Sequence, residues 1–335
     1  MKKLLRLDLT LPVLLRRNHL ERTHIEVAFF VAWSGGLALA ALVGVAWVAG
    51  FGRVIGRLDE INPIWFAVAF GAEVLAYVGY ILGYREVARV EEGPELGHGH
   101  TAAIVSTGFG AFVARGGFAV DMHAFRDAGV SEREARVRVL GLGALEYALL
   151  APAACATAAF LVAEGRHRPS LGLTLPWIVA VPLGFLAATW ALEHRHRFRN
   201  SRGWRDAIAQ ALDSIYVLRC LFSRRSHLIG PLGAALYWLG DIVCLWACLQ
   251  AFTHGTPDVA LLLLGYATGY ALTRRTLPFG GAGAVEALLP FALYWCGISL
   301  SAAVVAVFAY RIFNLWLPLV PAALGLRTLR TRRTG

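Results

Sequence analysis

The sequence predicts an all-α protein that crosses a membrane several times. Of its 335 residues, 57% are hydrophobic and 16% are charged, whereas soluble domains carry about 25% charged residues. The hydrophobic residues form continuous runs of about 20 residues, which is the length that a helix needs to span the hydrocarbon core. Because these runs do not alternate with polar residues, as the strands of a membrane barrel would, helices are favoured.

Eight runs are predicted to cross the membrane. They cover residues 26–50, 62–84, 137–163, 174–192, 228–253, 258–275, 283–298 and 301–325. A further apolar segment, 100–118, is short and glycine-rich; it either crosses as a ninth span or re-enters the membrane, and we favour re-entry. We therefore expect a single transmembrane domain over 26–325, with about eight crossing helices plus re-entrant or broken segments.

The positions of the basic residues predict which segments face the cytoplasm. Arginine and lysine cluster in a lead-in at 1–25, in a loop at 194–227 and in a tail at 326–335. If 100–118 re-enters and the eight runs cross, these three clusters share one side with the arginines of 126–138. The positive-inside rule makes that side cytoplasmic. The net charge of +10 is then explained without nucleic acid as a partner.

The basic loop contains a predicted amphipathic helix over 203–222. Apolar residues recur there at spacings of three and four: Trp204, Ile208, Leu212, Ile215, Leu218 and Phe222. Such a helix either lies among lipid headgroups and attracts anionic lipid or packs on the surface of its own protein. The sequence leaves both interpretations open.

A glycine-rich break precedes an acidic residue inside the apolar C-terminal region. The residues are Pro278, Gly280, Gly281, Gly283 and Glu286. The proline should end the preceding helix, and the glycines permit a sharp change of direction. A new helix is expected to begin near 282–285, so its free N–H groups and its dipole would form an anion site beside the acidic residue.

An arginine inside the last predicted span makes this region the main candidate for function. A charge near the bilayer centre costs about 2.5–3.5 kcal/mol and therefore faces protein or water. Asn314 shares a helical face with Arg311, and a helical hairpin would bring Arg311 to Glu286. The pair is either part of a hydrated pocket for an anionic lipid headgroup, which we favour, or a buried ion pair that joins two helices.

Other charges in apolar segments are weaker candidates. Each of three carboxylates stands alone in an apolar run: Glu73, Glu146 and Asp241. They are either polar contacts between helices or carboxylates that couple transport to an ion gradient. Arg115 and Asp121 flank an earlier glycine pair, and we include them in the headgroup site.

The two halves of the chain also share a faint sequence echo. Ala128-Gly-Val-Ser131 and Cys296-Gly-Ile-Ser299 each precede a predicted span, and a glycine pair followed by an acid lies upstream of each. Paired interrupted segments of this kind are typical of transporter repeats. An ancient duplication and a chance similarity both remain open.

The sequence predicts no metal, no cofactor and no enzymatic activity. Cys244 and Cys248 are one helical turn apart, but no nearby histidine or cysteine would complete a metal site. No nucleotide-binding or hydrolase motif is found. Two alternatives to transport remain: a non-catalytic partner that docks a larger complex through 194–227, and an intramembrane transferase acting on a lipid-linked substrate.

The run Leu277-Pro-Phe-Gly-Gly-Ala-Gly-Ala-Val-Glu286, with Gly297, Tyr310-Arg311 and the segment 318–325, resembles the lysylphosphatidylglycerol synthase/flippase transmembrane family. The resemblance implies an inner-membrane protein with cytoplasmic termini that moves a lipid between leaflets. It implies an anionic or modified phospholipid, or a polyprenyl-linked lipid, as the partner. The aminoacyl transferase domain of the best-known members has no counterpart before Gly335, so we expect lipid translocation without lipid synthesis, with a separate cytoplasmic enzyme as a further partner.

Overall fold

The helices of the protein coincide with the apolar runs of its sequence. The computed structural model describes residues 20–113, 117–165, 170–195, 203–253, 255, 257–271 and 281–321. Within these residues the regular structure is entirely helical. The helices are α1 (Leu20–Ala49), α2 (Phe51–Gly56), α3 (Ile64–Arg89), α4 (His98–Val113), α5 (Gly117–Asp127), α6 (Glu132–Glu164), α7 (Leu171–Glu193), α8 (Trp204–Ser223), α9 (Ile229–Ala251), α10 (Val259–Tyr266), α11 (Ala284–Trp295) and α12 (Leu300–Arg311).

Six of these helical segments are long and apolar enough to cross a membrane, counted over the described residues. They are α1, α3, α6, α7, α9 and α12 with its continuation to Pro321. Large apolar side chains on their outer faces are exposed, including Trp33, Trp47, Phe70, Leu186, Trp190 and Leu232. Apolar surface of this extent is expected where a protein contacts lipid. The prediction of an all-α polytopic membrane protein is confirmed.

Two of the predicted spans, 258–275 and 283–298, form shorter helices. α10 has 8 residues and continues as a π-helical turn over Ala267–Ala271, and α11 has 12 residues. At 1.5 Å per residue α11 is about 18 Å long, well short of the roughly 30 Å hydrocarbon core. Over the described residues, neither helix is among the segments long enough to cross the membrane by itself.

The segment 100–118 falls on α4 and α5, which pack against one another as a helical hairpin. Neither helix is among those long enough to span. This arrangement favours the re-entrant interpretation over a ninth crossing. Two pairs of short helices, α4–α5 and α10–α11, thus interrupt the set of long helices.

The amphipathic segment 203–222 is confirmed as α8, which packs against α6. Its buried face includes Ala209, Leu212, Val217 and Leu221, whereas Trp204 and Phe222 stay exposed. This buried face agrees with the interpretation of α8 as a surface helix that packs on its own protein. The exposed aromatic residues at both ends remain available to lipid headgroups.

Among the described residues, the closest approach of two helices is the antiparallel crossing of α3 and α9. Gly79 faces Gly233 so closely that a β-carbon on Gly79 would lie 2.5 Å from the Gly233 carbonyl oxygen. A β-carbon on Gly240 would lie 2.5 Å from the Ala72 carbonyl oxygen. Residue numbers rise along α3 as they fall along α9, so the helices are antiparallel. Small residues let the two backbones approach closely. In a membrane the hydrophobic effect does not drive helices together, so close packing of this kind holds them.

This crossing extends beyond the glycines to both helix ends. The Asn62 amide N–H donates to the Ala251 carbonyl at 3.0 Å, and Arg89 Nη2 donates to the Ser226 carbonyl at 2.8 Å. The pair α3–α9 therefore forms a central axis, against which α4, α6 and α12 pack.

Replacement of Gly79 by alanine should lower the free energy of unfolding by about 1–3 kcal/mol. The new methyl group would overlap the Gly233 backbone. Gly71 lies in the same helix with no atom within 4 Å of a β-carbon built on it, so Gly71→Ala is the matched control and should leave stability unchanged or slightly higher. Unfolding of the purified protein in mixed micelles by increasing SDS measures both; equal effects would contradict the close crossing.

Candidate functional site: a buried polar network

Four of the predicted site residues meet in one buried network: Asp241, Glu286, Arg311 and Asn314. The glycines Gly281 and Gly283 also lie here, with φ of 72° and 85°. These left-handed values explain why glycine is needed at the break. Pro278, Gly280 and Arg115, which were predicted to belong to the site, lie outside the described residues.

The core of the network is an ion pair between α11 and α12. Arg311 Nε lies 2.6 Å from Glu286 Oε1, and the Gly283 amide N–H donates to Glu286 Oε2 at 2.6 Å. The predicted helix start at the break is confirmed, because α11 begins at Ala284 with Glu286 in its first turn. Glu286 is 0% exposed and Arg311 is 2% exposed, so both charges are removed from solvent.

The network continues from the ion pair to a second carboxylate on α9. Arg311 Nη1 donates to Asn314 Oδ1 at 3.4 Å, and the Tyr270 hydroxyl donates to the same oxygen at 2.8 Å. Asn314 Nδ2 in turn donates to Asp241 Oδ1 at 2.7 Å. Asn314 therefore bridges the Glu286–Arg311 pair and Asp241.

Asp241 also accepts hydrogen bonds from two tyrosines. The Tyr310 hydroxyl donates to Asp241 Oδ1 at 2.9 Å, and the Tyr266 hydroxyl donates to Asp241 Oδ2. Asp241 is fully buried, and all three of its hydrogen-bond donors are neutral side chains. The three donors satisfy the carboxyl group, which lowers the cost of burying it.

Two π-helical turns place the network residues. Tyr270 lies in the turn Ala267–Ala271 that extends α10, and Asn314 lies in the turn Ile312–Trp316 that extends α12. π-helical turns are rare and occur frequently at functional sites, because the extra residue per turn redirects side chains. The Tyr270–Asn314 hydrogen bond joins these two turns directly.

The tyrosines of the network were not predicted as site residues. Tyr266 and Tyr270 are one helical turn apart, and Tyr310 precedes Arg311. Two tyrosine hydroxyl groups one helical turn apart inside an apolar run were the sequence signal that could have identified Tyr266 and Tyr270. For Tyr310, the adjacent arginine was the only such signal.

The other predicted carboxylates take different positions. Glu73, in α3, lies close enough to act electrostatically on Tyr310 and so borders the network. The buried Glu146, in α6, accepts a hydrogen bond from Trp238 Nε1 through its backbone carbonyl at 2.8 Å. Asp121 is buried in α5, which belongs to the hairpin α4–α5. The structure thus joins Asp241 to the headgroup candidates Glu286, Arg311 and Asn314.

The described residues do not form the hydrated pocket that was expected around Arg311. They enclose the guanidinium, and the helix N-terminus that was predicted to bind an external anion is occupied by Glu286. In this conformation the ion pair joins α11 to α12, as the second interpretation of the sequence stated. Within the described residues, no group of three or more His, Cys, Asp or Glu side chains could hold a metal.

Comparison with known protein families and with curated proteins finds no match to this chain. The network offers a guanidinium, a helix N-terminus and titratable carboxyl groups, all enclosed among membrane-spanning helices. These are the groups that bind a phosphate and transfer a proton.

Replacement of Arg311 by methionine should lower the free energy of unfolding by about 3–5 kcal/mol, because the Glu286 charge would stay buried without its partner. The double variant Arg311→Met/Glu286→Leu should recover most of this loss. Arg133→Met removes one partner of an exposed ion pair with Asp213 and should cost less than about 1 kcal/mol. The same SDS titration measures all three, and a double variant no more stable than Arg311→Met would contradict a direct pair.

Proposed function

We propose that this protein binds a lipid or lipid-linked headgroup and translocates it across the membrane. The observation that supports the proposal best is the buried Arg311–Glu286 pair, placed where a broken helix begins among the membrane-spanning helices. The proposed substrate carries a phosphate, as in an anionic or modified phospholipid or a polyprenyl-linked lipid.

A purely structural role is a weak explanation for this pair. Replacement of a buried ion pair by well-packed apolar residues is often neutral or stabilising by 1–4 kcal/mol. The two helices could therefore be joined by apolar contacts alone. The network also includes a second carboxyl group, Asp241, and three buried tyrosines, which a simple contact between α11 and α12 does not need.

The Glu286 carboxylate occupies the position that a headgroup phosphate would take. Its two oxygens accept from Arg311 Nε and from the Gly283 amide, and guanidinium groups and helix N-termini are common phosphate-binding groups. In the proposed cycle the phosphate displaces Glu286 from both donors. The displaced carboxyl group then takes up a proton, because an unpaired charge in this apolar setting is costly.

The broken helices provide the movement that the cycle requires. The substrate has to reach Arg311, which is enclosed in the present conformation. α10 and α11 are short apolar helices over the described residues, so a shift of this hairpin can open the network while the α3–α9 axis stays in place. Discontinuous helices form the binding sites of many transporters in this way.

The proposed orientation places both termini in the cytoplasm and the protein in the inner membrane. The six segments long enough to cross, counted over the described residues, return the chain to its starting side, and four of them precede the basic segment 194–227. The clusters at 1–25, 194–227 and 326–335 then share one side, as the positive-inside rule favours. The resemblance to the lysylphosphatidylglycerol synthase/flippase transmembrane family remains part of this proposal, as does a separate cytoplasmic enzyme that supplies the lipid.

Liposomes that contain the purified protein should expose inner-leaflet fluorescent phosphatidylglycerol, or a fluorescent polyprenyl phosphate, to an external quencher faster than protein-free liposomes do. The double variant Arg311→Met/Glu286→Leu should reduce this rate at least about tenfold, because it keeps the helix contact and removes the phosphate-binding groups. The control variant Arg133→Ala/Asp213→Ala, which removes an exposed ion pair, should keep the rate.

Two outcomes would contradict the proposal. A double variant that is folded and as active as the unmodified protein would leave the pair as a helix contact only. A rate equal to that of protein-free liposomes with both lipids would remove phosphate-bearing lipids as the substrate class.

A further inference from the structure

We infer that the chain consists of two inverted repeats, α1–α6 and α7–α12, and that transport exchanges the conformations of their two hairpins. The second part rests on the proposed function, whereas the first does not. Each half has the same order of elements: a long helix, a shorter α2 or α8, a second long helix, a hairpin of two short helices, and a third long helix.

The turns after the two hairpins have the same backbone geometry. Gly129 has φ of 86° and Gly297 has φ of 94°, and these positions differ by 168 (129 to 297). The Val130 N–H donates to the Phe125 carbonyl at 3.0 Å, and the Ile298 N–H donates to the Leu293 carbonyl at 3.1 Å. The donors and the acceptors of these two hydrogen bonds are each 168 positions apart, so the bonds are equivalent residue by residue.

The equivalence extends into the helices on either side. The Ala128 N–H donates to the Ala124 carbonyl, and the Cys296 N–H donates to the Ala292 carbonyl, both at 3.1 Å. After the turns, the helix N-caps are Ser131 and Ser299. The sequence echo that left duplication and chance open therefore has a structural counterpart, which favours duplication.

Buried polar residues of the two halves also correspond at this offset. Asp241 of α9 corresponds to Glu73 of α3, and Asn314 corresponds to Glu146 of α6. All four side chains are buried. The positions equivalent to Asp241 and Asn314 in the first half thus also hold buried polar side chains, the carboxyl groups of Glu73 and Glu146.

The antiparallel α3–α9 crossing makes the repeats inverted. These two helices occupy equivalent places in the halves, and they run in opposite directions. A two-fold axis that relates them must lie in the membrane plane. Three long helices in each half give the same result, since an odd number of crossings starts the second half on the opposite side.

Contacts between the halves obey the same symmetry. α1 of the first half packs against α12 of the second half, and α7 of the second half packs against α6 of the first. Likewise α9 contacts α6 through the Trp238–Glu146 hydrogen bond, while α3 contacts the continuation of α12 through the rings of Phe66 and Phe313, 6.2 Å apart.

The two hairpins nevertheless differ in their packing. α10 packs against α6, whereas α4 makes no comparably extensive contact with α12 within the described residues. In addition, Trp177 Nε1 of α7 donates to Thr268 Oγ1 in the π-helical turn at 3.0 Å. Exchange of these two packing arrangements about the α3–α9 axis would produce a state that is open to the opposite side of the membrane.

Labelling with a membrane-impermeant maleimide tests the inversion. Ser131→Cys and Ser299→Cys place a thiol at equivalent exposed N-caps, and Ser223→Cys is the control in the basic loop. The background is Cys155→Ala, since the other four native cysteines are buried. In right-side-out and inside-out vesicles, cysteines at 131 and 223 should react from one side and a cysteine at 299 from the other. Reaction of 131 and 299 from the same side would overturn the inverted repeat, whatever the lipid assay shows.

A reversible cross-link tests the exchange. In the variant Trp177→Cys/Thr268→Cys, a short cross-linker that contains a disulfide joins the two thiols. The cross-link should lower the rate of lipid movement at least about tenfold, and reduction of the disulfide should restore the rate. Cross-linked protein that moves lipid at the uncross-linked rate would overturn the exchange. Exchange also predicts that Glu73 and Glu146 take over the places of Asp241 and Asn314, so Glu73→Gln/Glu146→Gln should lower the rate of lipid movement at least about tenfold; an unaffected rate in a folded variant would overturn the functional equivalence of these positions.

Discussion

The close approach of the α3 and α9 backbones is the constraint on which the other contacts depend. At Gly79, Gly233 and Gly240 no side chain fits between the helices, so their separation and register have very little freedom. The helices on either side, α6 and α12, pack against this pair. A rigid centre of this kind lets shorter segments at the periphery move without loss of the overall arrangement.

The polar network lies where this rigid centre meets the broken helices. Asp241 belongs to α9, whereas Arg311 and Asn314 belong to α12 and its π-helical continuation. Glu286 and Tyr270 belong to the hairpin. The Arg311–Glu286 and Tyr270–Asn314 hydrogen bonds therefore join a fixed element to the hairpin, and displacement of the hairpin has to break them in an apolar setting.

Much of the fold could be predicted from hydropathy, because the long helices and α8 follow the periodicity and length of the apolar runs. The helix start at Ala284 and the Glu286–Arg311 contact followed from the glycine break and from the cost of a buried charge. The starts of α10 and α11 were predicted to within a residue, but both segments were predicted to cross the membrane, because apolar composition alone does not distinguish a full crossing from a shorter helix inside the bundle. Asp241 could not be assigned to the site, because its contact with Asn314 joins residues that are distant in sequence.

The capping of α11 by Glu286 also bears on how a membrane keeps its ion gradients. A vacant cationic cavity connected to either leaflet would admit chloride and water, and a leak of that kind would dissipate the gradients. Here the carboxylate on the same chain fills the cavity and neutralises the guanidinium. In the proposed lipid transport, a pathway that its own side chain closes between substrates would stay tight to small ions and still pass a bulky amphiphile.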